Sequence, residues 1–423
     1  MPTGRTPTTS SWTWTTSTRT PCASRTWCTR SPRTPPEPPP SFPCLLRTRG
    51  PAMTVRVPLA ELTTFVRTVL TECGLDTDAA RTAADVITYA DANGFTTHGT
   101  NGLVNIYAPR LLDGRIDAGA APRIVQETAG AALLDGDRGL GLVTMDLAMD
   151  IAMAKARQTG IGMVAVRNST HFGSAGYYTQ KAAAAGLIGL AMTNCGAQGV
   201  APPLGGTVRM LGTNPLSAAV PVTEGAPFVL DMSTTVVATG KIKAAHREGQ
   251  EVPQEWLVRH DGTPTSDPAD FMAEEADVAW LGGPAATGGA KGFGLALLVD
   301  LLCGPLSGAA YGPRPGVLKG EPAGDDNVGH TAIVIDPSAF GSAHAIAAEN
   351  RILLDTVAGS PAAAYATRGV TYPGAPEALR YAQSQREGVE LPDPVAEGLA
   401  ALAEQLTVPA PAALTGRSLQ PVA

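Results

Sequence analysis

The chain has 423 residues, 44% hydrophobic and 16% charged, which is enough for a large core spread over two or three domains or subdomains. Its formal net charge is −7, but residues 1–52 hold seven Arg against the single acid Glu37, leaving 24 basic and 37 acidic residues, a charge near −13, on the rest. So acidic a body lacks the clustered Lys and Arg that nucleic-acid binding needs, and no apolar run reaches the ~18 residues of a membrane span.

Residues 1–52 are rich in Thr, Ser, Pro and Arg and show neither helical nor strand periodicity. They read as disordered, or as an artefactual upstream start ahead of Met53, where the composition changes. Six cysteines, Cys22, Cys28, Cys44, Cys73, Cys195 and Cys303, form no CxxC pair. That argues against a disulfide scaffold or a metal site and fits a reducing, cytoplasmic compartment.

From Pro58 the chain becomes regular. Leu59, Leu62, Phe65, Val66, Val69 and Leu70 share a helical face, and Gly74 is placed to end that helix. Asp76 or Thr77 caps a second helix that stops at Asn93–Gly94. Thr97–His98–Gly99 lies at a junction before a third helical pattern, which runs to Leu112. Near Ile124 the character shifts, and strand-like runs appear at 131–134, 161–166, 188–192, 216–222, 228–232 and 331–335. Helical patterns lie at 143–158, 174–185 and 291–306, and more helices finish the chain. The whole is a mixed α/β protein.

Glycines and small polar residues punctuate several strand ends, which is how a chain lets backbone approach a ligand. His98 and His171 (in Thr170–His171–Phe172–Gly173) both occupy such junctions. Each reads either as an acid/base near neutral pH or as a structural residue bonded to loop backbone. His246, His260, His330 and His344 read as structural. Asp231 ends a probable buried strand, where a carboxylate needs partners. It either orients a histidine or caps a helix pattern that opens at Ser233. The Gly-rich run 288–294 feeds a helix and contains Lys291, a start suited to an anion. No GxGxxG follows a strand, so a standard Rossmann site is not supported.

With these residues in hand, the chain from about Met53 to about Leu406 resembles the malate/L-lactate dehydrogenase family of the non-Rossmann type. Its relatives include ureidoglycolate and sulfolactate dehydrogenases, diketogulonate reductases and cyclic-imine carboxylate reductases. The likeness runs in order through Thr97–His98–Gly99, 166–173, 211–215, 230–232 with Gly240–Lys241, 262–268, 291–300, 329–337 and 372–374. It implies a mixed α/β fold: a non-Rossmann cofactor domain at 127–310 with a largely antiparallel sheet, and a helical domain at 53–126 joined by 311–423. It also implies a homodimer, soluble and without nucleic-acid or membrane partners.

The function so implied is hydride transfer between NAD or NADP and C2 of a small 2-hydroxy or 2-oxo acid. Reduction of a cyclic imine carboxylate is the alternative within the family, and a catalytically weakened ligand-binding homologue is the alternative outside it. By resemblance His98 is the acid/base, supported by Thr97 and Asp231, and His171 shares in that work. His171, Phe172, Gly173, Ser174, Ala175, Cys195, Asp231, Met232, Ser233 and Lys291 fall where relatives touch the dinucleotide. Relatives carry an Arg four residues after the first His; here that position is Gly102, which implies either a different substrate, such as an amide, ester or larger imine, or a carboxylate anchor from elsewhere, with Arg110 and Lys291 as candidates.

Overall fold

The computed structural model describes residues 54–284, 286–321 and 326–415, so the expectations for 1–52 lie outside the described residues. The chain opens with β1 (Thr54–Val57) and α1 (Leu59–Glu72), whose Leu62, Phe65, Val66, Val69 and Leu70 form one buried stripe. Gly74, at φ +101°, turns the chain out of that helix. The Asp76 carboxylate then caps α2 (Thr77–Ala92) by accepting the amides of Asp78 and Ala79 at 2.9 and 2.8 Å. A short turn α3 (Thr100–Gly102) runs through a π-helical turn, Leu103–Tyr107, into α4 (Ala108–Leu112).

The central region follows in the order β2 (Arg123–Glu127), β3 (Ala131–Asp135), α5 (Gly141–Thr159), β4 (Ile161–Ser169), α6 (Ala175–Ala184), β5 (Ile188–Thr193), β6 (Leu216–Val220) and β7 (Phe228–Met232). A smaller segment contains α7 (Thr239–Glu248), β8 (Leu257–Arg259), β9 (Pro264–Thr265), α8 (Pro268–Met272) and β10 (Ala276–Val278). The chain ends with α9 (Gly289–Cys303), β11 (Val328–Ile335), α10 (Ala343–Ala358), α11 (Ala375–Glu387), β12 (Val389–Pro392) and α12 (Asp393–Leu406).

Seven strands form one sheet in the order β2-β3-β4-β11-β5-β6-β7, and only β3 and β4 pair in parallel. The sheet is largely antiparallel, as expected, and is not a doubly wound Rossmann sheet. Alternation along the strands decides what each face meets. Val164, Val166, Ala332 and Val334 join α5, α6, α1 and α2 in the main core, whereas Met192 and Ile333 pack with Val299 and Cys303 of α9. A separate core around Ile242, Leu257, Phe271 and Trp280 holds the β8–β10 segment together.

Two expectations need correction. No helix opens at Ser233: its hydroxyl donates to the Thr235 carbonyl, and α7 starts only at Thr239. The expected strands also omit β1, β8, β9, β10 and β12, which carry too few residues for a period-2 pattern to stand out, and β2, whose five residues are all exposed and so show no buried face. They form because a partner strand accepts them, as β12 accepts β1.

Candidate functional site

The loop that carries His98 is fixed at both ends. The chain leaves α2 through Gly94 at φ +87°, and the His98 amide donates back to the Phe95 carbonyl at 2.9 Å. Beyond it the Thr100 amide donates to the Asp91 carboxylate at 2.7 Å. Residue 99 must be glycine, because a Cβ there collides with that carboxylate. His98 Nδ1 lies 3.0 Å from the Thr97 hydroxyl, and Nε2 has no hydrogen-bond partner among the described residues.

His171 follows the end of β4. Its Nδ1 lies 2.8 Å from the Tyr107 hydroxyl, and the Gly173 amide donates to the same nitrogen at 3.4 Å. The imidazoles of His98 and His171 are nearly parallel, at 14°, with centroids 5.7 Å apart. Burial pushes His171 down to about 3, and the charges of His98, Arg110 and His330 act in the same direction. Phe172, by contrast, is a core residue, wholly buried between the rings of Tyr178 and His330.

Asp231 projects from β7 and accepts the Ser174 hydroxyl at 2.9 Å and the Gly176 amide at 2.7 Å. It therefore does cap a helix, but across the sheet: the helix is α6, not one that follows it in sequence. Burial raises the Asp231 carboxyl above its ordinary range, against the Gly176 bond, the His98 charge and the Ser174 bond, while Glu377 adds to the rise. Burial likewise lowers His98, with Asp231 pulling the other way.

These groups meet in a cleft of ≈ 590 Å³. Thr97, His98, Gly173, Ser174, Ala175, Asp231, Met232 and Ser233 all line it. His171 lies behind His98 rather than on the cleft wall, and Phe172, Cys195 and Lys291 lie outside it. Cys195 is a half-buried thiol packed under Gly212, where any Cβ collides with its sulfur, and desolvation raises it above the ordinary thiol range. Lys291 is exposed in the first turn of α9.

Of the remaining wall residues, Lys241 belongs to the likeness through Gly240–Lys241, whereas Trp256, Glu377 and Arg380 were not singled out from sequence. Lys241 and Trp256 come from the segment with its own core, and Glu377 and Arg380 come from α11. Arg380 lies along the turn after α2, its Cδ 3.0 Å from where a Cβ on Gly94 would stand. Neither Lys241 nor Arg380 has an ion-pair partner among the described residues. A side chain at Gly102 has no free space, since its Cβ would stand 3.0 Å from the Tyr107 ring. Among the described residues no cluster of His, Cys, Asp and Glu is arranged to hold a metal ion.

The profile of the malate/L-lactate dehydrogenase family matches residues 57–400. The malate dehydrogenase of Pyrococcus abyssi is 41% identical over 286 residues, covering 68% of this chain and 77% of its own. The ureidoglycolate dehydrogenase (NAD(+)) of Escherichia coli O157:H7 is 32% identical over 332 residues, 78% of this chain and 91% of its own. Among solved structures, malate dehydrogenase from Entamoeba histolytica superposes with a TM-score of 0.80 at 30% identity, covering 85% of this chain and 100% of that one.

Proposed function

The chain is an oxidoreductase that belongs to the malate/L-lactate dehydrogenase family, and from that premise we propose that it moves a hydride between a nicotinamide, NAD or NADP, and C2 of a small 2-hydroxy or 2-oxo acid. The observation that carries this reading is the meeting of His98 and Asp231 in one cleft, with His98 Nε2 left without a protein partner among the described residues. Nε2 takes the proton of the C2 hydroxyl during oxidation and returns it during reduction. Asp231 favours the imidazolium that forms, and the Thr97 hydroxyl fixes the ring through Nδ1.

The cleft suits a dinucleotide at its nicotinamide end. Gly173, at φ +77°, and the small residues Ser174, Ala175 and Ser233 bring backbone close to the space, whose volume lies within the usual range of ligand pockets. When bound, the nicotinamide accepts the hydride in one direction and supplies it in the other. Cys195 and Lys291 lie outside this cleft, so in this reading neither touches the nicotinamide end of the cofactor. The expected bounds of 127 to 310 for the cofactor domain are too narrow, because β2 (Arg123–Glu127) edges its sheet and β11 (Val328–Ile335) stands at the sheet's centre; that whole sheet, which supplies Asp231 and the His171 loop, is the cofactor domain in the proposal.

Arg380, rather than Arg110 or Lys291, is the cation placed to hold the substrate carboxylate, since it lines the same cleft as His98. Lys241, on the same cleft, is left for a cofactor phosphate or a second acidic group. A homodimer is part of the proposal, supported by Leu297, Leu298 and Leu301 on α9, which are 36%, 48% and 54% exposed on neighbouring positions. No helix among the described residues is long and apolar enough to cross a membrane. Cys73, Cys195 and Cys303 are free thiols, which supports a cytoplasmic setting.

Calorimetric titration with NADH and NADPH separately, followed by turnover of a series of 2-oxo acids, tests the reading. Binding of either cofactor, with turnover abolished in His98→Ala and cofactor affinity kept, is the expected result. A folded protein that binds neither cofactor overturns the reading and leaves the weakened homologue in its place.

A further inference from the structure

Tyr107 ends the π-helical turn 103–107, which closes with a bond from the Ala108 amide to the Leu103 carbonyl. A π turn holds one residue more than an α turn, so side chains beyond it are rotated relative to a continuous α-helix. Tyr107 is thereby wholly buried, with its ring against the backbone of Gly102. Its hydroxyl is 2.8 Å from His171 Nδ1, and the two rings are tilted by 34°. The Gly173 amide, which can only donate, addresses that same nitrogen at 3.4 Å. Nδ1 is therefore an acceptor, the hydroxyl proton of Tyr107 lies on the bond, and the ring proton of His171 is on Nε2.

We propose that Tyr107 is a positioning residue that, with the Gly173 amide, locks His171 as the neutral Nε2–H tautomer behind His98, so that His98 alone of the pair accepts the proton. The second half of this statement rests on the dehydrogenase reading; the lock itself does not. Two stacked imidazoles 5.7 Å apart cannot both be protonated without placing like charges against each other. The division of labour removes that conflict. The groups whose charges act on His171 are His98, Arg110 and His330, all of which oppose a second positive charge, and no carboxylate is among them. His330 is itself held between the Thr193 and Ser169 hydroxyls, at 2.7 and 2.9 Å, and burial pushes it down to about 3. Among the described residues, no carboxylate is among the charges that act on His171 to draw a proton onto Nδ1.

The test is 15N NMR of the imidazoles in the full-length protein between pH 5 and 8, with the His171 signals assigned by their loss in His171→Gln. The expected spectrum is an Nε2–H imidazole that does not titrate over this range. Tyr107→Phe, which removes one buried hydroxyl and keeps the ring, should let the Nδ1–H tautomer appear. It should also lower kcat about tenfold to a hundredfold with cofactor affinity unchanged. An Nδ1–H tautomer or a titrating His171 in the wild type overturns the lock, whether or not the variant folds. A tautomer that Tyr107→Phe leaves unaltered overturns it as well. If the tautomer shifts while kcat stays the same, the positioning role is overturned. The tautomer is read without substrate or cofactor, so it decides the lock even where the dehydrogenase reading fails.

Discussion

Asp91 holds Thr100: its carboxylate accepts the Thr100 amide at 2.7 Å and fills the space that a side chain on residue 99 would need. The residue between this latch and the Phe95 turn is His98, so a buried acid on α2 sets where the proposed acid/base stands.

That latch has a pH signature. Burial pushes Asp91 up to about 7, so between about pH 4 and 7 the native chain keeps a proton that the unfolded chain has lost. Its contribution is full below about pH 4 and is lost as the pH rises through 7, at up to about 1.4 kcal/mol per unit. Asp300, buried beside Asn194 and pushed up to about 6, acts with the same sign. Asp91→Asn keeps an acceptor for Thr100 and removes the ionisation. Urea midpoints at pH 5 and pH 8 should therefore lie closer together in the variant than in the wild type. An equal separation would show that Asp91 is already ionised in the native protein at pH 5.

His98 and Asp231 should titrate as neighbours. Burial holds the imidazole below its usual range while Asp231 pulls it back up, so Asp231→Asn leaves burial unopposed. The acid limb of kcat/KM for oxidation, which needs neutral His98, should move to lower pH. Reduction near neutral pH, which needs the imidazolium, should fall by about tenfold for each unit of that displacement. Profiles in both directions check this, and a limb that stays in place detaches Asp231 from His98.

Gly102 is the position where the family resemblance calls for Arg, yet the Tyr107 ring stands 3.0 Å from any Cβ placed there. Gly102→Arg should therefore push the ring away from His171, destabilise the fold by about 1–3 kcal/mol through overpacking, and lower kcat. Thermal unfolding and steady-state kinetics on the variant decide the matter. A tighter KM for a 2-oxo acid at unchanged kcat would falsify the assignment of this space to Tyr107.

Arg380 should act on binding more than on chemistry. Arg380→Ala removes a charge-assisted grip worth about 1.5–3 kcal/mol, so KM for a 2-oxo acid should rise about 10- to 150-fold. Arg380→Lys should recover part of the loss, since it restores the charge but not the planar fork. Unchanged KM in both variants would move the anchor to Lys241.

Much of this site is legible in the sequence, and the reason is local. Thr97, His98, Ser174 and Asp231 sit at junctions marked by glycine and polar residues, and such marks survive without knowledge of the fold. What is not legible depends on distance along the chain. Tyr107 reads as an ordinary core aromatic, because its partner is 64 residues away and its orientation depends on a π turn that no residue pattern announces. Arg380 reads as a solvated helix charge until α11 is seen to pack beside the turn after α2. The cap formed by Asp231 was ambiguous for the same cause: a carboxylate next to Ser233 suggests a local cap, and only the pairing of β7 with β6 places it over α6.

The position of β11 has a consequence for how the protein is made. This strand sits between β4 and β5 at the centre of the sheet, yet it is synthesised about 135 residues after β5 ends. At ~5–20 residues per second, the ribosome takes about 7–30 s to reach it. Throughout that interval β4 and β5 each present an unpaired inner edge, and the sheet has no route to closure. The nascent chain is therefore a natural client for chaperones. Truncation anywhere before Val328 should yield an aggregating fragment rather than a smaller stable domain, so the acid–base cleft becomes functional only after most of the chain has left the ribosome.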